Sequence, residues 1–255
     1  MGVQLKTQSD IETMKKGGQI HASILRSLSE AVKPGMSAGD LDTLARALLE
    51  ESGVRAAFLN YTPEGVSYPY PSAVCVSVND EVVHGIPHED IILKEGDVVS
   101  IDIGVEHEGL ITDAAITIGV GEVSEDAQKL MNVTKESLMV GIKAAQLGNT
   151  VGDIGHAIES FAKPYGYGIV RILAGHGVGY SVHEDPYVPN YGKPGTGEKL
   201  VPGMVIAIEP MLTLGSDEVA VTEDEYTYVT YDGSLSAHFE HTIAITENGP
   251  IILTK

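Results

Sequence analysis

Apolar residues recur every three to four positions in some stretches of the chain and in short β-rich or alternating runs in others, which separates helices from strands. Ile11, Met14, Ile20, Ile24, Leu28 and Val32 draw one apolar stripe, predicting a helix over 9–32 that stops at Pro34-Gly35. Ser37-x-x-Asp40 has the form of a capping box and opens a second helix, with Leu41, Leu44, Leu48 and Leu49 inward and Gly53 at its end. A third helix is expected from about 125 to 146, and a fourth, opened by Thr150-x-x-Asp153, to about 165. Gly, Pro and Tyr fill 60–71, which predicts a surface loop. Strands are predicted at 73–78, in a hairpin over 98–118, and at 204–214, 218–222, 226–231 and 237–246. An even-length loop in the hairpin, around Glu106-His107-Glu108-Gly109, would put Asp102 and Asp113 on one face. Helices paired with hairpin-linked strands imply an α+β fold with helices on one face of the sheet.

Much of this pattern is written twice. Leu93-x-x-Gly96-x-Val98-x-x-Ile101-Asp102 returns 107 residues later as Leu200-x-x-Gly203-x-Val205-x-x-Ile208-Glu209. Upstream stand His84-Gly85-Ile86 and His176-Gly177-Val178, and before them Gly35-x-Ser37-x-Gly39-Asp40-Leu41 and Gly148-x-Thr150-x-Gly152-Asp153-Ile154. Each half adds one more acid in a strand-like run, Asp113 and Glu240. A single domain over 1–255 is expected, built of related halves at about 1–120 and 121–255 that face each other across a shared centre.

An ionised carboxylate in an apolar strand is costly unless a positive group neutralises it. Any one of these acids alone would be read as a solvent-facing strand residue. Four in related positions weigh against that reading, and no arginine lies beside them. A metal centre is the economical answer. His176 adds a nitrogen to Asp102, Asp113, Glu209 and Glu240, and five ligands are too many for one catalytic zinc, which typically takes three from the protein. The set suits two divalent ions bridged by carboxylates and a water. Its oxygen-rich character makes manganese, iron(II) and cobalt candidates without selecting among them. Gly175-His176-Gly177-Val178-Gly179 has neither the lysine of a phosphate loop nor dinucleotide-binding spacing.

A lone histidine is more often a structural hydrogen-bonder than a catalyst. His84 stands out as the duplicate of His176, and His183, seven residues after His176, reaches the same cleft if a turn intervenes. His21, His88, His107, His156, His238 and His241 are read as surface or core residues, with His241 facing away from Glu240.

The net charge of −20, from 36 acids and 16 bases, argues against a nucleic-acid partner. Cys75 is the only cysteine, which excludes an intrachain disulfide and fits a reducing cytoplasm. No apolar run is long enough to span a bilayer, and the first residues lack the apolar core of a secretion signal.

Together the motifs resemble the methionine aminopeptidases of the short bacterial type I. The carrying segments are Val82-Val83-His84-Gly85-Ile86-Pro87, Ile101-Asp102 with Asp113-Ala114-Ala115, Gly175-His176-Gly177-Val178-Gly179 and His183-Glu184-Asp185-Pro186. Ile208-Glu209-Pro210-Met211 and the run from Ser234 through His238-Phe239-Glu240-His241 to Thr242 complete them. The 31-residue interval between Glu209 and Glu240 leaves no room for a type II insert. The resemblance implies the pseudo-twofold pita-bread fold and removal of an N-terminal methionine when the second residue is small. It implies Asp102, Asp113, His176, Glu209 and Glu240 as ligands of two divalent ions (cobalt, manganese, iron(II), nickel or zinc), with Asp113 and Glu240 bridging. It makes Glu209 the proton-transfer group and His84 and His183 substrate contacts. Phe58, Tyr61, Tyr70, Cys75 and Tyr226 fall around the methionine pocket, and Asn79 and Ser236 where relatives bind a monovalent cation. Peptide and nascent-chain N-termini, transient contact with the ribosome and a monomeric state are implied as well.

Some positions depart from that family. Residues 62–67 look like an insertion after Tyr61, Leu173 and Val182 stand where an aromatic is common, Tyr226 where many relatives carry Trp, and Gly104 in place of a frequent Thr. An Xaa-Pro peptidase of the same fold and a binding module that has lost catalysis are the alternatives.

Overall fold

Each apolar stripe becomes a helix. In the computed structural model, which describes residues 2–63 and 65–255, α1 spans Gln8–Ala31, α2 Ala38–Glu51, α3 Glu125–Ala144 and α4 Val151–Ala162. Ser37 and Asp40 form the expected capping box, as do Thr150 and Asp153, and Thr7 with Asp10 caps α1 in the same way. The α-helical part of the fourth helix stops short of 165, because Pro164 has no N–H to continue the hydrogen-bond ladder, although Lys163 before it keeps α geometry. A single 3-10 turn, Lys163–Tyr165, follows.

The hairpin is the centre of the first half. Val98–His107 and Leu110–Gly119 are joined by Glu108 and Gly109, whose φ angles of 50° and 82° are those of a two-residue primed turn. The even loop sets the register Asp102↔Ala115 and Gly104↔Asp113, so both aspartates share one face. Cys75 of the strand Cys75–Val78 pairs with Asp102 from the other edge and faces the same way. Arg55–Ala56 completes this sheet, on which α1 and α2 pack.

The second half carries a five-stranded sheet in the order Gly249–Ile252, His241–Thr246, Val205–Ile208, Gly175–Gly177, Glu184–Val188. Two runs expected to be continuous strands are broken, each at its acid. The run 204–214 splits into Val205–Ile208 and Met211–Thr213, with Glu209 and Pro210 between them. The run 237–246 splits into Ser236–His238 and His241–Thr246, with Phe239 and Glu240 between them. In both cases the two pieces belong to different sheets. Pro210 has no N–H for a ladder, and the Glu240 N–H turns instead to the Ala115 carbonyl at 3.0 Å.

The two halves meet along a line of hydroxyl-mediated bonds. Asp113 N–H donates to Thr242 Oγ1 (2.8 Å), which donates back to the Asp113 carbonyl (2.7 Å). Thr117 Oγ1 accepts from His238 N–H (2.8 Å) and donates to its carbonyl (2.6 Å). Backbone bonding at the repeated motif also recurs. Gly35 N–H bonds Leu93 O and Gly148 N–H bonds Leu200 O, while Gly96 N–H bonds Val120 O and Gly203 N–H bonds Ile245 O. One apolar core, including Leu28, Leu41, Ile101 and Ile103, lies under α1 and α2. Another, including Leu130, Ile154, Ile206 and Ile243, lies under α3 and α4, and Ile116 touches both.

The segment 60–71 differs from the surface loop expected of it, although Glu64 within it lies outside the described residues. Tyr70 is buried, Tyr61 and Tyr68 half-buried, and Tyr68 and Tyr70 both pack edge-on against Tyr226. Burying large aromatic rings drives the fold-back, and Glu225 anchors it by accepting the Ser67 N–H at 2.7 Å and its hydroxyl at 2.9 Å.

Candidate metal centre

One cleft gathers the twelve residues singled out as ligands, substrate contacts and methionine pocket. Asp102, Asp113, His176, Glu209 and Glu240 line it together with His84 and His183, and so do Phe58, Tyr61, Tyr70, Cys75 and Tyr226. Among the described residues, Pro63 is the one lining residue that sequence reasoning did not name. Two acids come from adjoining strands of the first half, and two stand at the strand breaks of the second, where a side chain is freed from the alternation of a regular ladder.

Asp113, His176 and Glu240 each place a donor atom within 4.8 Å of the other two. His176 Nε2 lies 3.5 Å from Glu209 Oε1 and 3.9 Å from Asp113 Oδ2. The Nδ1 of His176 sits 2.8 Å from the Gly177 carbonyl, which requires Nδ1 to carry the proton and leaves an Nε2 lone pair facing the acids.

Electrostatics test whether a metal fits. Burial pushes Asp102 up to about 7 and Glu209 up to about 8. Asp113 and Glu240 rise well above the usual carboxylate range, through burial first and then through the neighbouring acids. Burial drives His84 and His176 down to about 3 and lowers His183 and His238, so these imidazoles are neutral, the form that ligates metals. Asp102 Oδ1, Asp113 Oδ1 and Glu240 Oε1 are buried and have no hydrogen-bond partner among the described residues. Orphaned carboxylate oxygens around a neutral imidazole are what a bound cation would satisfy. The donor set fits a divalent ion.

His183 stands at the mouth of the cleft, its Nδ1 2.9 Å from the Tyr61 hydroxyl and its ring edge-on to His176 at 4.5 Å. His84 has a φ of 61°, a conformation rare for a non-glycine residue, which turns its ring toward the cleft and onto the edge of Tyr228. Tyr70 reaches the Gly85 carbonyl through its hydroxyl at 2.9 Å. Gly104, opposite Asp113, makes room for Phe58. A Cβ there would lie 2.6 Å from Phe58 Cε1, so a threonine and this placement of Phe58 exclude each other. Asn79 and Ser236 lie apart from the cleft and touch each other, the Ser236 N–H donating to the Asn79 carbonyl at 2.9 Å.

His238 was read as a surface or core residue. Both of its ring nitrogens are buried without a partner, and Nε2 lies 3.5 Å from Glu209 Oε2. Its position two residues before Glu240, on the same face of a regular strand, was a usable signal. His241 turns away as expected, with Nδ1 2.9 Å from Thr254 Oγ1, and His21 pairs with Thr112 in the core.

Comparison with known proteins agrees with this geometry. The sequence pattern of metallopeptidase family M24 matches residues 12–247. A methionine aminopeptidase of Aquifex aeolicus is 48% identical over the whole of both chains. The crystal structure of a methionine aminopeptidase from Thermotoga maritima superposes with a TM-score of 0.95 at 47% identity, again over both chains entirely. A prolidase from Pyrococcus furiosus gives 0.78 at 25% identity, over 98% of this chain and 65% of its own.

Proposed function

The chain belongs to metallopeptidase family M24, and from that premise we propose that it removes the N-terminal methionine from peptides and nascent chains whose second residue is small. It has the pita-bread fold of that family. The observation that carries the proposal is the union, in one cleft, of an acid-rich donor cluster and an uncharged wall of Phe58, Tyr70, Tyr226 and Cys75. Methionine is long, flexible and polarisable, and sulfur–aromatic contacts favour such a wall. The likeness to methionine aminopeptidases, at 47–48% identity, exceeds that to a prolidase at 25%, which disfavours Xaa-Pro cleavage.

Asp102, Asp113, His176, Glu209 and Glu240 would hold two divalent ions. Bound there, the ions would supply Lewis acidity, making a water acidic enough to act as nucleophile near neutral pH. Glu209, between His176 and His238, takes the proton of that water on a carboxylate oxygen and passes it to the leaving amine. With Tyr61 donating its hydroxyl proton to Nδ1, His183 keeps an Nε2–H to donate to the developing oxyanion. His84 contacts the scissile amide nitrogen or the next residue, where the crowding of the cleft favours a small side chain. The Asn79 and Ser236 region is the candidate for a monovalent cation. Free, buried Cys75 agrees with a reducing cytoplasm, where a monomer would meet nascent chains at the ribosome.

Metal content of the purified protein, measured with turnover of Met-Ala-Ser and Ala-Pro peptides, tests the proposal. Cleavage of Met-Ala-Ser that is lost on chelation and restored by a divalent ion is expected. Faster cleavage of Ala-Pro would assign the chain to Xaa-Pro peptidases, and failure to cleave either peptide when metal-loaded would make it a binding module.

A further inference from the structure

Lys6, in the segment that leads into α1, is a buried cation. Its side chain is 1% exposed and pairs with the Glu184 carboxylate, itself 2% exposed. Such a pair persists only where other hydrogen bonds help to replace the lost water. Here Lys6 Nζ also donates to the Gln4 carbonyl at 3.1 Å, and Glu184 Oε1 accepts the N–H groups of Tyr180 (2.6 Å) and Ser181 (3.0 Å). The Lys6 N–H donates to Gly203 O at 2.7 Å, tying the segment to the turn that opens the strand before Glu209.

The lysine stem crosses the turn between His176 and His183. Gly179, with φ of 143°, lies directly beneath it, and a Cβ there would stand 2.4 Å from Lys6 Cε. The Gly179 carbonyl accepts the Ile111 N–H at 2.7 Å, two residues from Asp113. Residues 179–184 are thus fastened by Lys6, by the Glu184 carboxylate and by the hairpin. His183 immediately precedes Glu184, and among the described residues Tyr61 and His176 hold its ring.

We propose that Lys6 is a positioning residue for the reaction, which through Glu184 clamps the turn that carries His183 and so fixes where His183 stands beside His176. The inference rests on the role given to His183 above. Without the Lys6 charge, Glu184 would be left buried and unpaired, and opening the turn to water is the direct relief. A displacement on the order of 1 Å at a transition-state donor lowers a rate by about a hundredfold.

The test uses the full chain, metal-loaded, with K6M, which keeps the stem over Gly179 and removes the charge. Hydrogen exchange of the amides in 179–184 should rise at least about tenfold while α3 is unchanged, and metal content should stay at the wild-type level. Turnover of Met-Ala-Ser should fall about ten- to a hundredfold in kcat with KM little altered. K6R should restore much of it, and K6M should cost nothing further in an H183A background. Unchanged exchange in 179–184, or kcat losses that multiply in the K6M/H183A double variant, would overturn the proposal. If K6M does not fold, E184Q removes the other charge and is read by the same measurements. A wild-type protein inactive on methionine peptides would defeat the proposed function instead, and the exchange experiment would still decide whether the clamp exists.

Discussion

Replacing Tyr70 by Phe and, separately, by Ala should divide two tasks that one side chain performs. The hydroxyl anchors the turn after His84, donating to the Gly85 carbonyl at 2.9 Å, and the ring forms part of the cleft wall, edge-on to Tyr226 at 5.1 Å. Gly85 O keeps a second donor, the Val76 N–H at 2.9 Å, when the hydroxyl is removed. Tyr70→Phe therefore belongs at the low end for a lost buried hydrogen bond, about 1 kcal/mol of stability, or roughly 2–4 °C in Tm for a chain of this size. It should leave the preference for methionine as it was. Tyr70→Ala also deletes a ring that is 3% exposed, for about 3–5 kcal/mol of stability. Its loss in transition-state binding of methionine substrates should be about 1–3 kcal/mol, equivalent to about 5- to 150-fold in kcat/KM. A norvaline substrate, with less side chain to contact the ring, should lose much less. The assay is kcat/KM for Met-Ala-Ser and its norvaline counterpart with each variant. The reasoning is refuted if Tyr70→Phe alters the ratio, or if Tyr70→Ala lowers both substrates equally.

Glu209→Gln should keep the fold and much of the metal binding and lose at least about a hundredfold in kcat, the usual scale of a lost proton transfer. Near-normal kcat in the metal-loaded variant would remove Glu209 from that role. Asp113→Ala should weaken both metal sites together in titration calorimetry, and two sites of full affinity would show that Asp113 does not bridge. Burial holds Glu209 at about 8 and Asp102 at about 7 in the metal-free protein, above ordinary carboxylate values, so the folded chain keeps protons that the unfolded chain releases. Chelated protein should therefore lose Tm as pH rises from about 7 to 8, above the range in which the buried neutral histidines act in the opposite direction, while metal-loaded protein, with ionised ligands, should not. A chelated Tm that is flat or rising over that range would contradict the electrostatic reading.

The helices were legible because each joins an apolar stripe to a cap, and Ser37 with Asp40 or Thr150 with Asp153 announces its start within four residues. The shared face of Asp102 and Asp113 followed from parity across a two-residue turn, since register fixes the side of every residue in a hairpin. The strand breaks at Glu209 and Glu240 were not legible as such. Pro210 hinted at the first, but the second depends on where the opposite half offers the Ala115 carbonyl, a contact between residues far apart in the chain. Gly104 drew notice only as a departure from relatives, and its reason, the ring of Phe58, lies across the sheet. Nothing near Lys6 in the sequence marks it as buried, because its partner stands 178 residues away.

The line of threonine hydroxyls between the two halves has a bearing on cooperativity. Thr242 and Thr117 each close a two-way exchange with one backbone residue of the other half, beside the pairing of strand Glu81–Val83 with strand Tyr228–Thr230 that also joins the halves. The donor cluster spans the same joint, taking Asp102 and Asp113 from one side and His176, Glu209 and Glu240 from the other. An ion held there would act as a removable rivet, and opening either half would forfeit its binding energy.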